Sequence, residues 1–283
     1  MERLMEHIRM RRDGKVGVIT IDRPARFNSM DAHTAQDFRR AGLQYARDNG
    51  VRVVVLAGIP GVFCSGADLK FIRDGERRDD LEYLAPQTAR GGYGDAFKQI
   101  LEYIHSTISE IRRAPKPFIA AVDGVAAAGG FGIAMACDLV IASPRATFEW
   151  AYSKTGLTGA ESSTFLLPRL VGLRRAMELL LLNPRLTASQ ARDYGLITAV
   201  YDDPFDDNVM DLASRLADGP PRALAMAKEL LNQAAGIDRL DDHLDRELQE
   251  LTRVADGPEF AQGIDAFFAK RPPKFEPVEK PAK

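Results

Sequence analysis

Cysteine is scarce in this chain of 283 residues: there are two, Cys64 and Cys137. Neither has a metal-ligand spacing to histidine or carboxylate, which argues against a structural zinc site and against a disulfide framework. Both thiols are read as reduced and packed, as in a cytoplasmic protein. Long apolar runs are missing too, and none approaches the roughly 18 to 20 residues needed to cross a bilayer. The first residues, MERLMEHIRMRRDGKVGVITI, scatter charges where a secretory signal needs an apolar stretch, and Glu2 and Glu6 argue against a basic targeting segment. There is no excess of one charge: the formal net charge is −2 and the pI about 6.1. Nothing therefore suggests general affinity for nucleic acid or an anionic membrane. A Gly-x-Ser-x-Gly elbow is absent, which leaves a serine-hydrolase triad unsupported.

What is present is ordinary for a globular protein, with 45% hydrophobic and 28% charged residues, enough for one large domain or a domain with a helical appendage. Val16 to Ile21 (VGVITI), Val51 to Ala57 (VRVVVLA), Phe118 to Val122 (FIAAV) and Leu139 to Ala142 (LVIA) read as buried strands. Asp31 is placed to cap a helix running to about Arg47, stopped by Asn49-Gly50. Gly129 to Cys137 is a short helix of small residues. Strand, loop, helix and strand at this spacing predict an α/β domain of repeated ββα-like units with right-handed crossovers. Asp74 to Asp95 reads as a mobile surface excursion, charged and then glycine-rich. Beyond Arg185 the pattern turns helical, over Ala188 to Tyr194, Asp206 to Ala217, Pro221 to Ala235, Leu240 to Val254 and Pro258 to Lys270. The Pro/Lys-rich end is expected to fray.

Two turns carry candidate chemistry. Phe63-Cys64-Ser65-Gly66-Ala67-Asp68-Leu69 follows a strand and opens into a helix, so its N–H groups can converge on one oxygen atom. An ordinary glycine turn capped by Asp68 explains the same residues. Asp123 to Gly132 (DGVAAAGGFG) follows another strand, and Gly129-Gly130 lets the backbone approach a ligand at a helix N-terminus. It lacks the Gly-Lys-Ser/Thr of a P-loop and the acidic partner of a dinucleotide fingerprint. Tight helix packing is its bland alternative.

Taken with IDRPARFNSM at 21–30, these blocks and the longer run KPFIAAVDGVAAAGGFGIAMACDLVIAS resemble, in order, the signature of the crotonase (enoyl-CoA hydratase/isomerase) superfamily. The likeness extends through LPRLVGLRRAMELLL and LTASQARDYGLITAVY to cover residues 15 to 275. It implies a crotonase-like spiral of ββα units over residues 1–200, with a helical region over 201–283 packing on it or on a neighbouring subunit. It further implies a homotrimer or dimer of trimers. The implied substrate is an acyl-CoA thioester, coenzyme A being part of the substrate, with no separate cofactor and no metal. By position the two backbone donors of the oxyanion hole are Ala67 and Gly129, polarising the thioester carbonyl. Arg23, Arg26 and Lys70 are the candidate cations for the CoA phosphates, with Ala67, Asp68 and Leu69 along the adenine slot. Phe267 and Lys270 match positions that reach a neighbouring subunit's nucleotide. A solvated basic surface is the alternative for these side chains.

The chain departs from the hydratase pattern at both of its glutamates: their positions hold Gly132 and Tyr152. The nearest replacement is Glu161, one residue past Ala160, where several isomerase and dehalogenase branches carry an aspartate. Glu161 precedes an apolar helix, so capping that helix is the competing role. Tyr152, Trp150 and Phe131 are expected along the acyl pocket, Tyr152 as a hydrogen-bond donor or as wall. Glu149 should point away, and His105, on a helix, is expected to be structural. One carboxylate with an oxyanion hole suits double-bond isomerisation. Hydration or hydrolysis of an unusual acyl-CoA, and acyl-CoA binding without catalysis, are the alternatives. Dehalogenation fits less well, because the nucleophile would have to come from the shifted Glu161.

Overall fold

The computed structural model describes residues 5–74 and 92–275. It opens with an antiparallel pair, β1 (Ile8–Asp13) and β2 (Val16–Ile21), followed by α1 (Ala32–Arg47), whose N-cap Asp31 accepts from the Thr34 N–H at 2.8 Å. Then come β3 (Val53–Ala57), β4 (Val62–Cys64), α2 (Leu69–Asp74), α3 (Tyr93–Arg113), β5 (Phe118–Val122), β6 (Val125–Ala127) and α4 (Gly129–Ala136). The chain continues through β7 (Leu139–Ala142), β8 (Thr147–Glu149), α5 (Ser163–Val171), α6 (Leu173–Leu182), β9 (Leu186–Thr187), α7 (Ala188–Asp193) and β10 (Ala199–Val200). Four helices close it: α8 (Phe205–Asp218), α9 (Pro221–Ala234), α10 (Leu240–Ala255) and α11 (Pro258–Phe268).

The strands form two sheets, ordered β1-β2-β3-β5-β7-β10 and β4-β6-β8-β9. Each consecutive pair, β3/β4, β5/β6 and β7/β8, gives its first strand to the larger sheet and its second to the smaller. Within each sheet these strands run parallel. That is the expected spiral of ββα units. Both faces of the larger sheet are covered, which is why its strands read as unbroken apolar runs. Val54, Leu56, Phe118 and Ala120 face the main core, while Val53, Val55 and Ile119 face Phe205, Val209 and Ala213 of α8. At Gly17 the sheet meets α1 so closely that a methyl group would lie 2.8 Å from the Tyr45 ring.

The predicted strands and tail helices stand within two residues of expectation. Residues 75–91, most of the expected surface excursion, and 276–283, most of the terminal segment, lie outside the described residues. The far edge of the excursion is corrected: Tyr93 to Asp95 begin α3, a helix of 21 residues. Cys64 and Cys137 are free and buried. Among the described residues no helix is long and apolar enough to cross a membrane, and no cluster of His, Cys, Asp or Glu could hold a metal ion.

Candidate active site

The first of the two turns is held from below by a buried asparagine. Asn28 donates to the carbonyls of Ile21, Val62 and Phe63 at 2.9, 3.0 and 3.1 Å, which ties β2 to β4 just before the turn. Met30 bridges the turn itself: its N–H donates to Gly66 O and its carbonyl accepts from Asp68 N–H, both at 2.8 Å. Among the described residues, the N–H of the intervening Ala67 has no protein partner. Asp68 then caps α2, accepting from the Lys70 and Phe71 N–H groups at 3.0 and 3.1 Å. Its carboxylate also takes Arg23 Nη1 at 2.7 Å and two nitrogens of Arg26. Burial alone would raise its pKa, but the bonds from Arg26, the Phe71 N–H and Arg23 outweigh burial and hold it below the ordinary value.

The second turn rises from β6 through Ala128, at φ +47°, into α4. As the first residue of α4, Gly129 has no intrahelical acceptor for its N–H. The two turns touch. A methyl group on Gly66, whose φ is +95°, would lie 2.8 Å from Ala128 Cβ and 3.1 Å from Gly129 N. Glycine is required there both by the left-handed backbone and by the close approach.

Ala67 and Gly129 therefore open on one cavity of about 480 Å³. Its mouth carries Arg26, Lys70, Lys154 and Phe267, and its walls include Phe97, Leu157, Leu251 and Phe268. Two carboxylates line it among the described residues, Asp68 and Glu161, and Asp68 is already saturated with arginine and backbone donors.

Glu161 is buried and lies over the second turn: a methyl group on Gly129 would sit 2.8 Å from its Oε1 and 3.1 Å from its Cδ. The backbone that aims it is strained, with Glu161 at φ +51° and Ser162 at +62°. Two successive left-handed non-glycine residues cost roughly 1–2 kcal/mol each. Tyr152 donates its hydroxyl proton to Glu161 Oε2. The Glu161 N–H donates to His105 Nε2 at 3.2 Å, and the other His105 nitrogen serves Leu244 of α10. Burial pushes the Glu161 carboxyl up to about 8; the Tyr152 hydrogen bond pulls it down, and the nearby Glu247 charge adds to the rise. Burial lowers His105 to about 3, so it stays a neutral acceptor.

Several expectations change. The capping role for Glu161 is overturned, because its carboxyl bonds Tyr152 and faces the cavity, while the N-terminus of α5 is served by Glu247 of α10. Arg23 is nearly buried between Asp31 and Asp68, at 2.6 and 2.7 Å, and does not line the cavity. Arg26 and Lys70 do line it, each paired with a carboxylate, Asp68 and Asp74 respectively. Leu69 and Phe267 line the cavity; Lys270 is exposed just past the end of α11, outside the lining. Trp150 and Phe131 are buried and do not line the cavity, Trp150 packing on Tyr152 with ring centres 5.0 Å apart. Glu149 turns away to Arg185 and Lys154.

Glu247 was missed, although its position signals it. It occupies the buried stripe Leu240, Leu244, Glu247, Leu251, Ala255 of α10 at helical spacing. A carboxylate on such a stripe must find buried partners.

Residues 11–278 match the family described as Enoyl-CoA hydratase/isomerase. The chain is 34% identical to a 1,2-epoxyphenylacetyl-CoA isomerase of Escherichia coli (strain K12), over 97% of this chain and 98% of that protein. It is 30% identical to 4-chlorobenzoyl coenzyme A dehalogenase-2 of Arthrobacter sp, over 93% of this chain and 91% of the other. Among solved structures, an enoyl-CoA hydratase from Mycobacterium avium subsp. paratuberculosis K-10 superimposes with a TM-score of 0.83 at 31% identity, covering 97% of this chain and all of that one. The chain belongs to the enoyl-CoA hydratase/isomerase family, the crotonase superfamily, and is an enzyme of that family.

Proposed function

We propose that this enzyme isomerises an acyl-CoA thioester by moving a proton between carbons of an enolate, with Glu161 as the proton carrier. The observation that carries this is the geometry of Glu161: one buried carboxyl, in no ion pair among the described residues, held against Gly129 in the cavity that Ala67 also lines. With the thioester oxygen between the Ala67 and Gly129 N–H groups, charge moving onto that oxygen is met by two fixed dipoles. Loss of one such donor costs about 3 kcal/mol of transition-state stabilisation. For a 3-enoyl-CoA, ionised Glu161 takes a proton from C2, the electron pair passes through the enolate to C4, and the same carboxyl returns the proton there. A single group that alternates between base and acid suffices. Its pKa of about 8 keeps both forms populated near neutral pH.

Hydration needs a second group beside the water, and the only other lining carboxylate among the described residues is locked to arginine. Tyr152, spent on Glu161, orients that carboxyl and forms the cavity wall. Coenzyme A enters by the mouth, where Arg26, Lys70 and Lys154 can share their acidic partners with its phosphates and Asp68 and Leu69 border the adenine. Exposed leucine and methionine side chains on α6 and α9, among them Leu181, Leu182, Leu230 and Leu231, support assembly as a trimer or dimer of trimers.

The test is mass spectrometry of 2-enoyl-, 3-enoyl- and 1,2-epoxyphenylacetyl-CoA incubated with the enzyme in D2O. A shifted bond or incorporated deuterium, lost in Glu161→Gln, is the expected result. Net addition of water would overturn isomerisation. Binding of acyl-CoA without exchange would make the chain a non-catalytic binder.

A further inference from the structure

The backbone carrying Glu161 has no glycine to ease its two left-handed residues, so something else must hold it. The holder comes from 85 residues away. Glu247, buried on α10, accepts from the Ser162 N–H at 2.8 Å with Oε2, and from the Thr164 N–H at 3.0 Å with Oε1. Thr164 Oγ1 donates to Oε1 as well. The carboxylate thus sits on the open N-terminus of α5, where the backbone donors and the helix dipole both favour negative charge. Ser162, the N-cap, makes no side-chain cap of its own.

We infer that Glu247 is a positioning residue for the reaction: it pins the strained Glu161–Ser162 turn from α10 and so aims the Glu161 carboxyl at Gly129. This rests on the reading of Glu161 as the proton carrier. Two different oxygens are used, which a glutamine cannot reproduce, because one would become an NH2 group facing a backbone N–H. An aspartate keeps both acceptors and the charge on a shorter arm. Glu247 also acts through its charge, since it adds to the rise in the Glu161 pKa. Among the described residues, the other titratable groups facing Glu161 are His105 on α3, Tyr152 after β8, and the Cys64 thiol at the end of β4, which burial pushes up to about 12. On the far side of Glu247, His243 meets Thr164 Oγ1 at 2.8 Å, and its pKa is lowered by burial.

The experiment compares Glu247→Gln, Glu247→Asp, Thr164→Ala and Glu161→Gln in the D2O exchange assay across pH 5.5–9.5, with acyl-CoA affinity measured separately. Displacing a catalytic group by an ångström costs on the order of 10²-fold in rate. Glu247→Gln should lose kcat on that scale with affinity within about threefold, and the acidic limb of its kcat/KM profile should move to lower pH. Glu247→Asp should recover part of the rate. Should Glu247→Gln fail to fold, Thr164→Ala, which removes one donor only, should still lower kcat and leave affinity intact. Wild-type kcat and profile in the Glu247 and Thr164 variants, with Glu161→Gln inactive, would overturn this inference alone. An active Glu161→Gln would overturn the proton-carrier reading, and this inference with it.

Discussion

Replacing Glu161 with glutamine separates the stability of this carboxyl from its chemistry. In the folded protein its pKa is about 8, against 4.5 for an ordinary glutamate, with burial the main cause. Each unit corresponds to 1.36 kcal/mol, so ionising it in the fold costs about 5 kcal/mol more than in the unfolded chain. The folded state holds this proton more tightly than the unfolded state does. The stability it confers is therefore fully present below pH 4.5 and is lost as pH rises through about 8. Glutamine is neutral at every pH and removes that loss. Glu161→Gln should be close to wild type in stability near pH 5 and gain on it by several kcal/mol at pH 9, while its turnover falls about 10²- to 10⁴-fold. Glu247, pushed up to about 7 by burial, titrates in an overlapping window, so the variant keeps a reduced slope. Urea unfolding at pH 5, 7 and 9 can follow the single tryptophan, Trp150, which is buried beside Tyr152. A stability difference between the two proteins that does not change with pH would refute the argument, as would wild-type turnover in the variant.

Tyr152→Phe removes the hydrogen bond that lowers the Glu161 pKa, so the acidic limb of kcat/KM should shift to higher pH; an unmoved limb in the exchange assay would contradict this. Gly129→Ala places a methyl group 2.8 Å from Glu161 Oε1, at the end of a flexible side chain rather than against backbone. Turnover should fall by about 10²-fold or more while urea unfolding changes little, because the carboxyl can swing aside but then leaves the reacting atoms. Asp68→Asn removes one of the two carboxylates that hold nearly buried Arg23 and should cost about 3 kcal/mol at pH 7. Because the Asp68 pKa is lowered in the fold, that difference should shrink as pH falls below 3.8, which denaturant titration at acid pH would reveal.

The two turns were legible because their physical demands are local. Gly66 needs a left-handed backbone and a methyl group on Gly129 would meet the Glu161 carboxyl, so the residue types themselves mark the close approaches. The strands of the larger sheet were legible because burial on both faces writes continuous apolar runs. The smaller sheet was not, since β4, β6 and β8 are three residues long and carry no period to read. Arg23 and Arg26 looked alike as basic residues near a turn, yet one is nearly buried in ion pairs and the other borders the cavity.

By itself, then, the sequence determined the strands of the larger sheet, the tail helices and the two glycine turns, because glycine stereochemistry and apolar periodicity act over a few neighbouring residues; the spiral and the donor role of the turns were implied by the family resemblance. Only the tertiary structure decided where the Glu161 carboxyl points. Its direction depends on Tyr152, His105 and Glu247, which reach it from 9, 56 and, through Ser162, 85 residues away. Its raised pKa exists only because those elements close around it and exclude water.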